Sequence, residues 1–509
     1  MPQRDEMAVA MENHIVDDVR AASGIDGLDD VLGGGFPQGH FFLLEGVPGT
    51  GKTTVGLQFL MAGAKLGEKA LYVTLSESAA EIEKVARSHR WSLEGMTIFE
   101  FTPTEDSLRP EDQYSAFHPS EIEFQDTTQT ILKQVEEIQP KRVVLDSLSE
   151  LRLLARDSLR YRRQILALKH FFTNRNCTVL LLDDRTSSAH DLQLQSIAHG
   201  VLSLEKVYRE YGKTRRRLQV EKMRGSTYRE GYHDYAITTG GVVVFPRLVA
   251  GEHKYAFDPG TVTSGLAAFD ALWGRGIDRG SSTLLIGPAG CGKSSIAMSF
   301  AVAAARKGEN ASVFLFEEWA VTACKRCKQL GIDPTPHLES GKLYLEQIDP
   351  AELSPGEFIQ HVRDSAEKRG AKVILIDSLN GFLNAMPGEQ YLTMQMHELL
   401  SYLNQRGVAT ILVLAQAGMI GAMTSPFDMS YMADNVLLFR FFEADGRVRK
   451  ALSVLKKRGG AHEETIRELT LGDGKISVGP PLREFRGVLT GVPTYVGSEP
   501  MLSGAKDES

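Results

Sequence analysis

The chain has 509 residues, 42% of them hydrophobic, a formal net charge of −8 at pH 7 and 4 cysteines. This length allows two to four domains with ordinary cores, and the negative charge disfavours a protein whose main partner is nucleic acid. So few cysteines, without regular spacing, exclude a disulfide framework and favour a reducing, cytoplasmic compartment.

The first 20 residues predict a flexible acidic leader and no signal peptide, because they mix charges and lack an apolar core. No apolar run reaches membrane-spanning length, so we expect no membrane association. The leader is followed by Ser23–Gly39, which reads S-G-I-D-G-L-D-D-V-L-G-G-G-F-P-Q-G and recurs in looser form at Ser264–Gly280. The offset, 264 − 23 = 241 residues, indicates a duplicated domain rather than a solenoid repeat.

A glycine-rich loop of the form G-x-x-x-x-G-K-[ST] follows in both copies, at Gly46–Thr53 and Gly287–Ser294. Each loop lies between an apolar run and a helix-compatible run, which is the context of a nucleoside-triphosphate P-loop. Backbone amides and the helix N-terminus hold the phosphates, the lysine contacts the outer phosphates, and the next hydroxyl binds Mg²⁺. The predicted contacts to ATP are Gly49, Thr50, Gly51, Lys52, Thr53 and Thr54, then Gly290, Cys291, Gly292, Lys293, Ser294 and Ser295, with Thr53 and Ser294 also on the metal.

Further apolar runs that predict buried strands end in carboxylates. Asp146 and Asp377 have the Walker B context and would hold Mg²⁺, although an acid can also simply end a parallel strand. Glu77 in the first half and Glu317 with Glu318 in the second follow the strand next to the P-loop strand, where the γ-phosphate should lie. They are candidates to orient or deprotonate the nucleophile, with helix capping as the alternative, and Glu317 is also expected to contact the metal.

Alternating apolar strands and helices predict an α/β protein with two tandem domains, each a mostly parallel sheet flanked by helices. Short alternating runs near the end of each half predict antiparallel strands: Arg217–Val220, Tyr235–Thr238, Val242–Phe245, Arg449–Leu455 and Arg467–Leu471. Between the two Walker B aspartates the offset falls to 377 − 146 = 231, so we place about ten extra residues in Thr102–Ser120. The predicted boundaries are 1–20 for the leader, 21–246 for the first domain, 247–262 for the linker, 263–485 for the second domain and 486–509 for the C-terminal loop and tail.

Two basic motifs are also duplicated: Lys222-Met223-Arg224-Gly225 and Lys456-Lys457-Arg458-Gly459. Each offers two cations at alternate positions of a strand, and therefore on one side of it. Because the motif recurs in both halves, we favour phosphate contacts over a solvated basic patch.

Two other motifs have simpler interpretations. Cys324-x-x-Cys327 lies on a predicted helix without a second cysteine pair, so helix packing is favoured over a zinc site. The run Arg215–Arg217 could contact nucleic acid, but a solvated strand end is the favoured interpretation.

Together these residues resemble the KaiC family. The resemblance is carried by G-I-D-G-L-D-D-V-L-G-G-G from Gly24, L-D-S-L-S-E-L-R from Leu145, K-M-R-G-S from Lys222 and F-R-G-V-L-T-G-V-P from Phe485. It covers the chain from about residue 20 to residue 497. The resemblance implies two RecA-like ATPase domains in a double-ring homohexamer, with ATP between neighbouring subunits and a KaiB-like protein or signalling protein as a partner.

The resemblance also implies roles for particular residues. The first domain would hydrolyse ATP through Glu77 alone, since Ser76 stands where the family has a second glutamate. The second would be an autokinase in which Glu317 activates the acceptor hydroxyl, and the family's phosphorylated Ser-Thr pair falls on Ser430 and Tyr431. The further nucleotide contacts that it implies are Ser88, Lys222, Met223, Arg224, Lys450, Lys456 and Arg458.

Two functions therefore compete. The first is a KaiC-like ATPase and serine/threonine autokinase in circadian timing or stress signalling, with an ATPase lacking autokinase activity as its variant. The second is a RecA-like ATPase that depends on nucleic acid. The acidic charge, the tandem domains and the region of Ser430 favour the first.

Overall fold

The structure is a computed structural model that describes residues 19–101, 119–155, 158–185, 192–209, 211–252, 255–384, 391–416, 418, 430–472, 474–490 and 493–497. The chain divides into two compact units between Arg247 and Leu248. Residues 1–18 of the predicted leader, residues 102–118 of the predicted insertion and the tail after Gly497 lie outside the described residues.

The first unit contains eleven strands and seven helices within the described residues. The strands are β1 (Arg20–Ala21), β2 (Phe36–Pro37), β3 (Phe41–Gly46), β4 (Ala70–Thr74), β5 (Met96–Glu100), β6 (Arg142–Asp146), β7 (Thr178–Asp184), β8 (Gly200–Val207), β9 (Arg215–Met223), β10 (Tyr232–Thr238) and β11 (Gly241–Phe245). The helices are α1 (Leu28–Val31), α2 (Lys52–Lys65), α3 (Ala79–Ser88), α4 (Pro119–Ile138), α5 (Leu148–Ala155), α6 (Ser158–Asn174) and α7 (Leu192–Ile197).

The second unit repeats this arrangement. Its strands are β12 (Thr261–Val262), β13 (Ile277–Asp278), β14 (Ser282–Gly287), β15 (Ala311–Leu315), β16 (Leu343–Gln347), β17 (Val373–Asp377), β18 (Ala409–Ala415), β19 (Asn435–Ala444), β20 (Arg447–Lys457), β21 (Arg467–Gly472), β22 (Lys475–Pro481), β23 (Phe485–Arg486) and β24 (Thr494–Tyr495). Its helices are α8 (Ala267–Ala271), α9 (Lys293–Arg306), α10 (Ala320–Gln329), α11 (Thr335–Glu339), α12 (Pro355–Glu367), α13 (Leu379–Asn384) and α14 (Leu392–Gln405).

One large sheet organises each unit. In the first, the described strands follow the order β11-β10-β9-β8-β3-β7-β6-β4-β5, and in the second β16-β15-β17-β18-β14-β19-β20-β21-β22. Six strands of each sheet, from β8 to β5 and from β16 to β19, run parallel, and the remaining three are antiparallel. The predicted fold class, tandem RecA-like domains with mostly parallel sheets, is confirmed.

The central strands are buried on both faces. Phe42 and Leu44 of β3 face a core that includes the P-loop helix α2, whereas Phe41 and Leu43 face a core that includes α6. Successive side chains of a strand point to opposite faces, so a run such as F-F-L-L can only suit a strand that is covered on both sides. Among the described helices, none is both long and apolar enough to cross a bilayer.

The repeated motif at the start of each domain has a structural role. The amide of Ser23 donates to the carboxylate of Asp29 at 2.8 Å, and the amide of Ser264 donates to Asp270 at 2.7 Å. These bonds fold the segment S-G-x-x-x-x-D into a compact turn. In the first unit the turn packs so closely on β11 that a Cβ atom at Gly27, where φ is +79°, would lie 2.1 Å from the carbonyl oxygen of Val244.

This close approach predicts a difference between two substitutions. Gly67 has a similar φ, +76°, but a Cβ atom there would meet nothing within 4 Å. Both Gly→Ala variants should lose about 1 kcal/mol because of the left-handed backbone, and Gly27→Ala should lose a further ~1–3 kcal/mol because the turn must move off β11. Urea unfolding of both variants measures the difference, and equal losses would contradict the predicted clash.

Candidate nucleotide sites

The two P-loops lie where β3 and β14 end. Each loop turns directly into a helix, α2 at Lys52 and α9 at Lys293, through a glycine in the left-handed region. Gly51 has φ +94°, and a Cβ atom there would approach Ile237 to 2.7 Å; Gly292 has φ +103° and lies equally close to a leucine. Backbone strain and contact therefore both require glycine, and the helix N-terminus is open to an anion.

The P-loop lysines are held in place by groups of their own unit. Lys52 Nζ donates to the carbonyl of Gly46 at 2.7 Å and forms an ion pair with Asp184 at 2.6 Å. Lys293 Nζ donates to the carbonyls of Gly287 and Pro288 at 2.8 and 2.6 Å. Burial lowers the pKa of Lys293, because it removes the charged amine from water.

The predicted metal-binding groups are brought together in both units. Asp146 accepts hydrogen bonds from the hydroxyls of Thr53 at 2.9 Å and Tyr72 at 2.5 Å, and burial raises the pKa of its carboxyl. In the second unit Ser294 donates to Asp377, whose pKa is likewise raised by burial. A carboxylate and a hydroxyl oxygen at this separation fit Mg²⁺, which prefers oxygen ligands.

Glu77, the predicted catalytic acid that follows β4, is not a helix cap. Helix α3 is capped by Ser78 and Glu81, which form a reciprocal capping box. Glu77 lies one residue earlier, with a partly exposed side chain at the same edge of the sheet as Asp146. Burial and then the charge of Asp146 raise the pKa of Glu77, which indicates that the two carboxylates are close to each other. The prediction that β4 and β15 lie next to the P-loop strands was wrong, because β7 and β6 lie between β3 and β4, and β18 and β17 lie between β14 and β15.

In the second unit the two predicted acids have different surroundings. Glu318 forms a two-pronged ion pair with Arg326, at 2.7 and 3.1 Å, whereas the side chain of Glu317 is exposed. Arg326 also donates to the hydroxyl of Ser295 on the P-loop helix at 2.5 Å. This arrangement leaves Glu317 facing solvent at the site and makes Arg326, which is paired with Glu318, a link between α10 and α9.

The duplicated basic motifs lie at the opposite edge of each sheet. Lys222 pairs with Val201, which pairs with Leu43 near the start of β3, whereas the P-loop follows the end of β3. Lys456 pairs with Val436, which pairs with Leu284 near the start of β14. The strands therefore separate these cations from the P-loop of their own unit.

The cations of the first motif form a cluster with a residue that the sequence did not single out. Lys222, Arg224 and Lys169 donate to the carbonyls that end α7, those of Gln195, Ser196 and Ile197 respectively. Burial, followed by the neighbouring charges, lowers the pKa of Lys222. Such a cluster favours a bound anion. Met223 between the two cations is buried and packs against Gly200.

In the second unit Lys456 Nζ donates to the carbonyls of Ser430 and Ala433, at 3.1 and 2.7 Å, and Arg458 pairs with Asp434 at 2.8 Å. Ser430 is half-buried and Tyr431 is 60% exposed. The candidate phosphoacceptors therefore share the edge of the sheet that holds the basic motif.

Other predicted residues have distinct positions. Ser88 ends α3, is exposed and donates to the carbonyl of Val85 at 2.7 Å. Lys450 is half-buried in β20 opposite Phe441. Cys327 of the C-x-x-C motif is buried in the second core, in agreement with helix packing.

The interpretation of Arg215–Arg217 as a solvated strand end was wrong for Arg215. That guanidinium is buried and pairs with Asp234 at 2.8 Å, because β9 lies between β8 and β10. Arg217 pairs with Glu205 at 2.8 Å.

Sequence reasoning missed several residues of the sites. Asp184 is the last residue of β7, whose apolar run ends in two carboxylates, so the strand end itself was the signal. The sequence gives no signal for Tyr72 or Arg326, because a tyrosine in a strand and an arginine on a helix are common. Tyr235, whose hydroxyl donates to the P-loop carbonyl of Thr50 at 2.7 Å, was also hidden in an ordinary strand pattern.

Comparison with known proteins agrees with this geometry. A family model described as "ATPase: KaiC" matches residues 21–249 and 262–483. The chain is similar to the circadian clock protein KaiC3 of Synechocystis sp., with 25% identity over 96% of this chain and 97% of the relative. It is also similar to the circadian clock oscillator protein KaiC of Picosynechococcus sp., with 26% identity over 93% and 92% of the two chains.

The link between α10 and α9 leads to a prediction about stability. Arg326→Met should destabilise the second unit by about 1–3 kcal/mol, because it leaves the carboxylate of Glu318 without its partner. Lys328→Met is the control: it removes an exposed cation from the same helix, whose ion pair with Asp333 is 3.6 Å long, and should cost less than about 0.5 kcal/mol.

A double-mutant cycle completes this test. The variant Arg326→Met with Glu318→Gln should recover part of the loss seen by urea unfolding, because the unpaired charge is gone. If the double variant is no more stable than Arg326→Met, the two side chains do not act as a pair.

Proposed function

The chain belongs to the KaiC ATPase family, and on that premise we propose that it is an ATP-hydrolysing serine/threonine autokinase that works as a double-ring homohexamer. Each ATP would lie between two subunits. The names of its relatives favour a role in circadian timing, with stress signalling as a related role. A KaiB-like protein or another signalling protein is the proposed partner.

The observation that carries this proposal is that the P-loop with its carboxylates and the basic motif lie at opposite edges of one sheet. The P-loop, Asp146 and Glu77 lie where the parallel strands end, whereas Lys222 and Arg224 lie where they begin. A strand rises about 3.3 Å per residue, so the three residues from Leu43 to Gly46 place roughly 10 Å of sheet between the level of Lys222 and the P-loop of the same subunit. A second copy can bring both groups to one nucleotide, if the edge with the basic cluster faces the P-loop edge of its neighbour.

In the first domain Glu77 would act on the water that attacks the γ-phosphate. Its pKa is already raised by burial and by Asp146, which brings a carboxylate closer to the basicity that a general base needs. Thr53 and Asp146 would hold Mg²⁺, which neutralises charge on the phosphates when bound. Lys52 would exchange its bonds to Asp184 and Gly46 for bonds to the phosphates.

In the second domain Ser430 would be the phosphoacceptor. Its oxygen forms a bond to the γ-phosphorus of an ATP on the neighbouring subunit, the bond from that phosphorus to the bridging oxygen breaks, and ADP leaves. The neighbour's Glu317 carboxylate accepts the hydroxyl proton. Because the Ser430 carbonyl is bonded to Lys456, the same movement that brings this cation to the phosphates would bring the serine.

The described residues do not favour nucleic acid as a partner. Arg215 and Arg217, the central candidates for such contacts, are paired with carboxylates within their own sheet. Ion-paired arginines contribute little to phosphate binding, in agreement with the net charge of −8.

The first prediction concerns assembly. ATP with Mg²⁺ should convert the chain to a species about six times the monomer mass, measured by light scattering after size exclusion. Lys222→Met should raise the ATP concentration needed by about tenfold or more, since a charge-assisted bond to phosphate is lost. Lys141→Met, which removes an exposed lysine at the same edge of the sheet, is the control. A wild-type chain that stays monomeric in saturating ATP would rule the ring out.

The second prediction separates the two domains by matched carboxylate-to-amide variants. In a Lys293→Met background, Glu77→Gln should lower phosphate release about 10²–10⁴-fold while ATP binding survives. In the otherwise native chain, Glu317→Gln should block phosphate incorporation, measured as intact mass after incubation with ATP, whereas Glu77→Gln in the same native background is the control and should leave incorporation in place.

The acceptor is tested by Ser430→Ala and Tyr431→Phe. We expect Ser430→Ala to remove most of the incorporated phosphate and Tyr431→Phe to remove little, because the tyrosine hydroxyl lies several ångströms further from the backbone. A wild-type chain that shows phosphate on neither residue after long incubation would leave an ATPase without autokinase activity.

A further inference from the structure

The first unit has a cation over its own P-loop, and at the corresponding position of the second unit an aromatic ring takes its place. A Cβ atom placed on Gly49, the central glycine of the loop, would lie 3.6 Å from Nζ of Lys206. In the second unit the corresponding Gly290 would instead meet the ring of Phe441 at 3.9 Å. The two loops thus differ in the side chain that covers them, although their backbones correspond.

The position of Lys206 follows from the sheet register. β8 runs parallel to β3 and pairs Leu204 with Gly46, the last residue before the P-loop. Leu202 and Leu204 face the core that includes the P-loop helix, and Lys206 is the next residue on that face, beyond the end of β3. Its side chain is half-buried, and Nζ lies 4.9 Å from the centre of the exposed Tyr208 ring, which is within the range of a cation–π contact.

A second difference explains why the first site needs this charge. Gly46 pairs with Asp184, whose carboxylate is bonded to Lys52, whereas Gly287 pairs with Ala415. The first P-loop therefore has a carboxylate next to its lysine, which would repel a polyphosphate. A lysine above the same loop offsets that repulsion.

We propose that Lys206 binds the phosphates of the nucleotide held by its own subunit, and that it gives the first site a higher affinity for ATP than the P-loop alone would provide. This inference rests on the proposed function, since it requires nucleotide at the first P-loop. It differs from the roles of Lys222 and Arg224, which serve the nucleotide of the neighbouring subunit.

The test is ATP binding by the full chain in a Lys293→Met background, in which the second P-loop is disabled. Radiolabelled ATP with Mg²⁺ is measured by equilibrium dialysis at two salt concentrations. Lys206→Met should weaken binding by about tenfold or more and reduce the salt dependence, whereas Lys206→Arg should restore most of the affinity. Lys213→Met removes an exposed lysine from the same β8–β9 hairpin and should change the affinity less than twofold.

The outcomes distinguish the inference from the proposed function. If the Lys293→Met parent binds ATP and Lys206→Met binds it as tightly as Lys213→Met does, Lys206 has no role in binding and the inference is wrong. If the parent binds no ATP at all, the proposed function of the first domain fails, and the inference fails with it. Circular dichroism of each variant confirms that a loss of binding is not a loss of fold.

Discussion

Parallel pairing of the central strands is the constraint on which both sites depend. It brings the ends of β3, β4, β6 and β7 to one edge, so that a loop, a hydroxyl and three carboxylates from distant parts of the chain meet there. The strands can pair in this way only because both of their faces are apolar and covered by helices. The site therefore depends on the same strands that form the core. Helix α2, which begins at Lys52, contributes to both the site and the core.

The same pairing also divides the functional residues between two edges. Because β9 returns antiparallel to β8, its last residues, including Lys222, are carried back to the edge where β3 begins. A self-contained enzyme would place such cations over its own nucleotide. In the ring proposed above, a repeated contact between copies would complete the site, since a chain with one such contact at each side closes into a ring or continues as a filament.

The sequence predicted the parts of this structure that depend on local pattern. The P-loops, the strands that end at Asp146 and Asp377 and the antiparallel strands after Arg215 all have strong periodicity or fixed spacing. The edge strands β5 and β16 were missed because they are only partly buried, so their apolar pattern is weak. Contacts such as that of Arg326 with Ser295 depend on how two helices pack, which spacing does not reveal. The burial of Arg215 was missed because three successive arginines gave no indication of Asp234 across the sheet.

The two units share the backbone of the P-loop site but differ in the charged side chains around it. The glycines at the N-termini of α2 and α9 have similar angles, and the hydroxyl–carboxylate pairs recur. The side chains that line the strand ends differ: Asp184 and Lys206 in the first unit stand where Ala415 and Phe441 stand in the second. A strand end is a permissive place for such changes, because all four of these residues are only partly buried and carry little of the core packing. Two copies of one fold can in this way bind the same phosphates through different charges, and a difference in affinity needs no difference in architecture.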